Sequence, residues 1–262
     1  MTSSEPDTIR AATRGIWLST GFHESREDGM NILECVAYIS GAEHSSYPPS
    51  ACPVISEVVR TVAERATEAE RQTLVQYILP IACSAAADSV IYKRLFYCVD
   101  FVVRQLAPAT LTYFGRVSDA LALQNLPEIK DIDSAETARQ ALRGLFMTAF
   151  LDPVTTKLSH TLGQLESMAH NAAKVLSTDG DALTVLIQLK ATLTRFEMQA
   201  DANLANMLFA LKRVLLENLL CIGPNRPVQP ELIKLRRQRI ARLEAKMASG
   251  TIGRVPGAES ET

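Results

Sequence analysis

Apolar residues recur at intervals of three and four along almost the whole chain, and no pair of alternating β-branched runs is joined by an Asn-Gly or Asp-Gly turn. The pattern predicts an all-α protein. A first helix runs from a cap at Asp28 through "NILECVAYIS" to Gly41, and a second starts at Pro53 and passes Val62, where proline suits a first turn. Between them lies the corner "HSSYPPSACPV", His44 to Val54. A helix carrying Leu74, Tyr77 and Ile78 meets a break or kink at Pro80, and a long apolar segment from Ser89 to Leu106 ends at Pro108. "LTYFGRVSDALAL" reads as a further helix, and a cap at Asp133 or Ser134, with Glu136 behind it, opens another that closes at Asp152–Pro153.

Beyond Pro153 the apolar positions follow the alternating three-four spacing of helices that pack lengthwise on a neighbour. Leu158, Leu162, Leu165, Ala169, Ala172 and Leu176 form one stripe, and "STDG" makes a turn. Leu186, Leu189, Leu193, Phe196, Ala200, Met207, Ala210 and Val214 form a second stripe, with Asn203 as its polar entry. No glycine or proline interrupts 181–222, so an unbroken helix there would be on the order of 60 Å long at 1.5 Å per residue. The expected architecture is a multi-helix bundle, then a long antiparallel helical hairpin, then a C-terminal helix. Its regions are 1–152, the hairpin 153–222, a linker with a basic helix 223–249, and a flexible tail 250–262. Leu204, Leu208, Leu211 and Leu215 widen the apolar face beyond a two-helix seam and call for another covering surface, either the rest of the chain or a second copy.

The chain is 262 residues long and carries 27 Lys and Arg against 29 Asp and Glu, which gives no general attraction to nucleic acid or anionic membranes. Positive charge concentrates in Lys234, Arg236, Arg237, Arg239 and Arg242, a basic surface flanked by Glu231 and Glu244 with no aromatic residue between. A solvated face or an acidic protein partner fits that segment better than nucleic acid. "MTSSEPDTIR" has no basic start followed by an apolar core, and no run nears the roughly 18 apolar residues of a membrane span, so a cytoplasmic chain is expected.

Candidate chemistry gathers in two places. Glu34 sits in apolar helical text and needs a hydrogen-bonding or cationic partner if buried. His44 and Cys52 bracket the corner, and with Cys35 or His23 they could form a thiol–imidazole pair or three ligands of a metal; Tyr47 lies between them. Asp100 and Arg104 are one turn apart and can pair, or Arg104 can serve an anion pocket with Lys93, Arg94 and Tyr97. The commoner reading is structural for each, as a plugged corner and an ion pair. The five cysteines are scattered without a CxxC, and no GxxxxGKS, GxGxxG, GxSxG or HExxH occurs, so no metal, cofactor or catalytic residue is assigned.

The segment "EDGMNILECVAYISGAEHSSYPPSACPVI", with "AERQTL", "CVDFVVR" and "LPEI" after it, resembles a family of uncharacterised proteins and domains from actinobacteria and bacteriophages, over roughly Gly21 to Ala141. The matching positions are Glu34, Gly41, His44, Ser45, Pro48, Cys52, Pro53, Asp100 and Arg104. Ser46 and Tyr47 stand where the family commonly has Asp and His, and Ser50 where it has a first cysteine. The resemblance implies an organisation, a bacterial or phage-infected setting, and no activity. The leading functional expectation is a non-catalytic interaction or assembly protein that uses the hairpin to bind itself or a protein partner. The alternative is a small-ligand or nucleotide-binding protein, with catalysis open, using Glu34, His44, Tyr47, Cys52 and Arg104 near the corner.

Overall fold

A computed structural model describes residues 16–151, 156–177, 181–198 and 200–223. The described residues are all-α, with no strand among them. They divide into two compact units, one holding residues 16–87 and the other residues 88–223. The division falls between Ala87 and Asp88, and the region boundary placed near residue 152 lies inside the second unit. The linker, the basic helix from Lys234 to Arg242, the tail and most of the "STDG" turn lie outside the described residues.

In the first unit, residues 16–31 form an irregular loop that leads into α1 (Ile32–Ser40). All nine residues of α1 are buried, as an apolar sequence on every side requires. Its cap is Asn31 and not Asp28. Asn31 Oδ1 accepts the N–H groups of Leu33 at 2.9 Å and Glu34 at 3.0 Å, while Asp28 accepts from the hydroxyl of Ser25. Gly41 ends the helix in the left-handed region, at φ 91°. After the corner, α2 (Pro53–Arg65) begins with proline in its first turn and buries Val54, Ile55, Val58, Val59 and Val62. Helix α3 (Glu68–Gln72), a 3₁₀ turn (Thr73–Tyr77) and α4 (Ile78–Ala82) follow, and α4 packs against α1.

In the second unit, Pro108 does not end the helix that approaches it. Helix α5 (Asp88–Phe101) passes through a π turn (Val102–Leu106) into α6 (Ala107–Tyr113), with the Ala107 N–H reaching back to the carbonyl of Val102. The widened turn absorbs a ring that a regular helix could not hold without a clash and a lost hydrogen bond. Gly115, at φ 76°, separates α6 from α7 (Val117–Gln124), so "LTYFGRVSDALAL" is two helices. Helix α8 (Ile132–Leu151) is led in by Asp131, which accepts the N–H of Ser134 at 2.8 Å. It packs along α9 (Thr156–Leu176), where Leu162, Leu165, Ala169 and Ala172 form the buried stripe read from the sequence. Helix α10 (Ala182–Met198) lies against α9, tied by Asn171 to Gln188 at 3.0 Å and by Gln188 to Ser167 at 2.9 Å.

The uninterrupted helix expected across 181–222 does not form. Asp201 accepts the Leu204 N–H at 3.0 Å and starts a new helix, α11 (Ala202–Cys221), in a different rotational phase. Leu204, Leu208, Leu215, Leu216 and Leu219 become its buried face, while Asn203, Ala210 and Val214 are exposed. Asn203 is therefore no buried register device. Of the leucine flank that invited a second copy, Leu204, Leu208 and Leu215 are covered by the chain itself and Leu211 is half-buried.

Candidate functional site

The polar centre of the first unit is built around a carboxylate that the sequence places in the first turn of an apolar helix. Glu34 has no exposed surface. Its Oε2 accepts the backbone N–H of Asn31 at 2.8 Å, completing the reciprocal cap, and faces His23 Nδ1 at 2.8 Å. Its Oε1 accepts the backbone N–H of His23 at 3.1 Å and the hydroxyl of Ser46 at 3.1 Å. Burial pushes the Glu34 pKa up, but these hydrogen bonds outweigh it and hold the carboxyl below its ordinary range, so it is a carboxylate at neutral pH.

That charge fixes the tautomer of His23. A carboxylate only accepts, so Nδ1 of the imidazole carries the proton that faces it, and whenever the ring is neutral Nε2 presents its lone pair outward. Ser19 Oγ lies 3.0 Å from Nε2, placed to donate its hydroxyl proton there. The loop is held in this path by bonds at its ends: Leu18 and Gln72 exchange two hydrogen bonds at 3.0 Å, and the Ser19 N–H donates to the Met30 carbonyl at 3.0 Å. Gly29 is needed where it stands. It adopts φ 124°, and a Cβ there would sit 3.0 Å from Ser19 Oγ and 3.2 Å from the His23 ring.

Ser19 borders a cavity of about 140 Å³ lined also by Gly21, Phe22, Asn31, Ser46 and Arg60. Ile32, Leu33 and Ala63 give it apolar wall. Arg60 brings the cation: its Nη2 donates to the Ser46 carbonyl at 3.0 Å, its Nε is 3.4 Å from Glu57, and its guanidinium lies 4.4 Å from the centre of the Tyr47 ring.

Of the residues nominated from sequence, Glu34 and His44 belong to one network, joined through His23, whose carbonyl accepts from His44 Nε2 at 2.8 Å. Glu34 has the partners its burial demands, although two of them come from the loop before α1 and only Ser46 comes from the corner. Tyr47 is 70% exposed and reaches the site only by covering Arg60. Cys52 is wholly buried where α2 begins, with its N–H on Ser84 Oγ at 2.9 Å, and packs as core. Cys35 is also buried, and burial followed by the adjacent Glu34 charge pushes its thiol pKa far up, which removes its reactivity as a nucleophile. Among the described residues no group of three or more His, Cys, Asp or Glu is arranged to hold a metal ion.

Asp100 and Arg104 lie in the second unit, where Arg104 Nη1 is 3.1 Å from Asp100 Oδ1 and the same oxygen accepts the Ile129 N–H at 2.9 Å. Their bonds serve the helix and the segment before α8. Nearby, Tyr97 accepts from Asn218 Nδ2 at 2.8 Å. The sequence reading missed Ser19, although Ser-x-x-x-His in "STGFHES" and the glycine of "EDG" were its available signals.

No protein-family model, curated protein or solved structure matches this chain. No helix among the described residues is long and apolar enough to cross a membrane.

Proposed function

We propose that the first unit binds a small anionic ligand, of the size of a short carboxylate, in the cavity beside the corner. The observation that carries this reading is the convergence of Ser19, Asn31, Ser46 and Arg60 on one cavity of about 140 Å³ with an apolar wall. A cavity of roughly 150 Å³ accommodates benzene, so the ligand has about six heavy atoms. Arg60, which also faces Glu57 at 3.4 Å, supplies the cation, Glu64 adds a carboxylate to the lining, and Ile32 and Leu33 supply the surface for a short alkyl chain. Calorimetric titration with butyrate tests it: wild type gives a saturable isotherm, and Arg60→Met weakens binding by at least tenfold while circular dichroism stays unchanged. Equal isotherms for the two proteins would refute the assignment.

An association role is favoured by a different surface, in the second unit. Tyr113, Phe114, Val117 and Leu121 are each between 40% and 52% exposed around the α6–α7 turn, a run of large apolar side chains suited to a protein partner or a second copy. Sedimentation shows a dimer that Leu121→Glu dissociates if a second copy covers them, and a monomer for both proteins removes self-association.

A further inference from the structure

The alignment of Ser19, His23 and Glu34 goes beyond binding. Ser19 Oγ is 3.0 Å from His23 Nε2, and His23 Nδ1 is 2.8 Å from Glu34 Oε2, a nucleophile–base–carboxylate line whose hydroxyl end borders the cavity and whose carboxylate end is sealed in the core. Three features separate this from a hydroxyl that merely caps a histidine. Every acceptor position of Glu34 is used, so the Nδ1 proton of the imidazole is held against the carboxylate and the neutral ring turns its Nε2 lone pair to Ser19. Gly29 leaves the space that lets the serine and the ring meet. The serine stands on a loop at the cavity edge, half-buried, within reach of a bound molecule.

We propose that Ser19 is a catalytic nucleophile for hydrolysis of short-chain carboxylic esters, with His23 as general base and acid and Glu34 as the residue that positions His23. Ser19 Oγ bonds to the ester carbonyl carbon as His23 Nε2 takes the hydroxyl proton. The tetrahedral species collapses, the bond to the leaving oxygen breaks, and His23 returns the proton to it, releasing the alcohol and leaving acyl-Ser19. Water then attacks the acyl carbon while His23 takes one of its protons. The bond to Ser19 Oγ breaks, the proton returns to that oxygen, and the carboxylic acid departs. Thr20, Gly21 and Phe22 follow Ser19 in the loop and line the same cavity. Arg60 holds the carboxylate product, so the inference rests on the ligand reading above.

The test is acylation of the full chain by p-nitrophenyl butyrate and labelling by an alkyl fluorophosphonate, in which the Ser19 Oγ–P bond forms as P–F breaks. Intact-mass and peptide spectra place a single adduct on Ser19. Ser19→Ala, with an unchanged circular dichroism spectrum, loses the adduct and at least a hundredfold in turnover, whereas Ser19→Cys regains acylation. Glu34→Gln lowers kcat at least tenfold more than it raises KM and slows fluorophosphonate labelling of Ser19 in proportion, a split that a purely structural carboxylate would not produce. An adduct elsewhere, or equal turnover by wild type and Ser19→Ala, overturns the proposal. Butyrate binding without acylation overturns this inference and leaves the ligand reading standing; a Ser19 adduct in a protein that does not bind butyrate does the reverse.

Discussion

His23 Nδ1 lies 2.8 Å from Oε2 of Glu34, a carboxylate with no exposed surface, so a loop outside the helical core is fastened to the first turn of α1 by a charge that water does not reach. Replacing Glu34 by Gln puts an amide N–H₂ where two donors converge. At least one of the Asn31, His23 or Ser46 donors loses its acceptor, and the expected cost is about 2 to 3 kcal/mol. Urea denaturation at neutral pH measures it; a change within experimental error would show that the network is not formed.

The same carboxylate makes stability depend on acid. Its folded pKa lies below the ordinary value of 4.5, because the hydrogen bonds outweigh the burial that opposes them. The unfolded chain therefore binds the proton first as pH falls. The contribution is complete above about pH 4.5 and is lost as pH drops through the lower folded value. Melting temperatures taken from pH 7 downward fall below that point in wild type, and Glu34→Gln flattens the decline. An identical profile for both proteins would contradict the assignment.

Thiol reactivity separates the cysteines by burial. Cys221 is exposed and Cys83 half-buried, whereas Cys35, Cys52 and Cys98 are buried. Iodoacetamide followed by peptide mapping modifies Cys221 first and Cys83 next, and reaches the other three on unfolding. Early modification of Cys52 would return the corner cysteine to the list of chemical groups.

Asp100 holds both Arg104 and the backbone of Ile129, so Asp100→Ala strands the Ile129 N–H and the guanidinium together. A loss of about 2 kcal/mol is expected in the cooperative unfolding of the protein. Butyrate binding stays unchanged, since Asp100 belongs to the second unit. Weakened butyrate binding in a folded Asp100→Ala protein would contradict the placement of the site in the first unit.

Helical class was legible because three-four periodicity is a property of the chain itself, and the starts of α2 and the end of α1 were legible because Pro53 and Gly41 act locally. Phase was less legible. The stripe from Leu186 through Val214 kept its spacing on paper, but Asp201 can cap a new helix wherever a turn is affordable, and only packing decides that it does. Pro108 misled in the opposite sense, since a π turn lets the helix run on. The site shows the same division. Glu34 stood out because a carboxylate in an apolar helix needs partners, and it has them. Ser19 carried no local abnormality, and its role depends on a loop that folds back across α1, a path that no periodicity encodes. Arg104 and His44, grouped by their chemistry, fall in separate units.

The most direct measurement of the central claim is a two-dimensional NMR titration of the isotope-labelled full chain with butyrate. The cavity reading predicts saturable shifts at Ser19–Phe22, Asn31–Leu33, Ser46 and the Arg60 side chain, with the second unit unmoved. Saturation without shifts at those residues, or no shifts at millimolar butyrate, would contradict it.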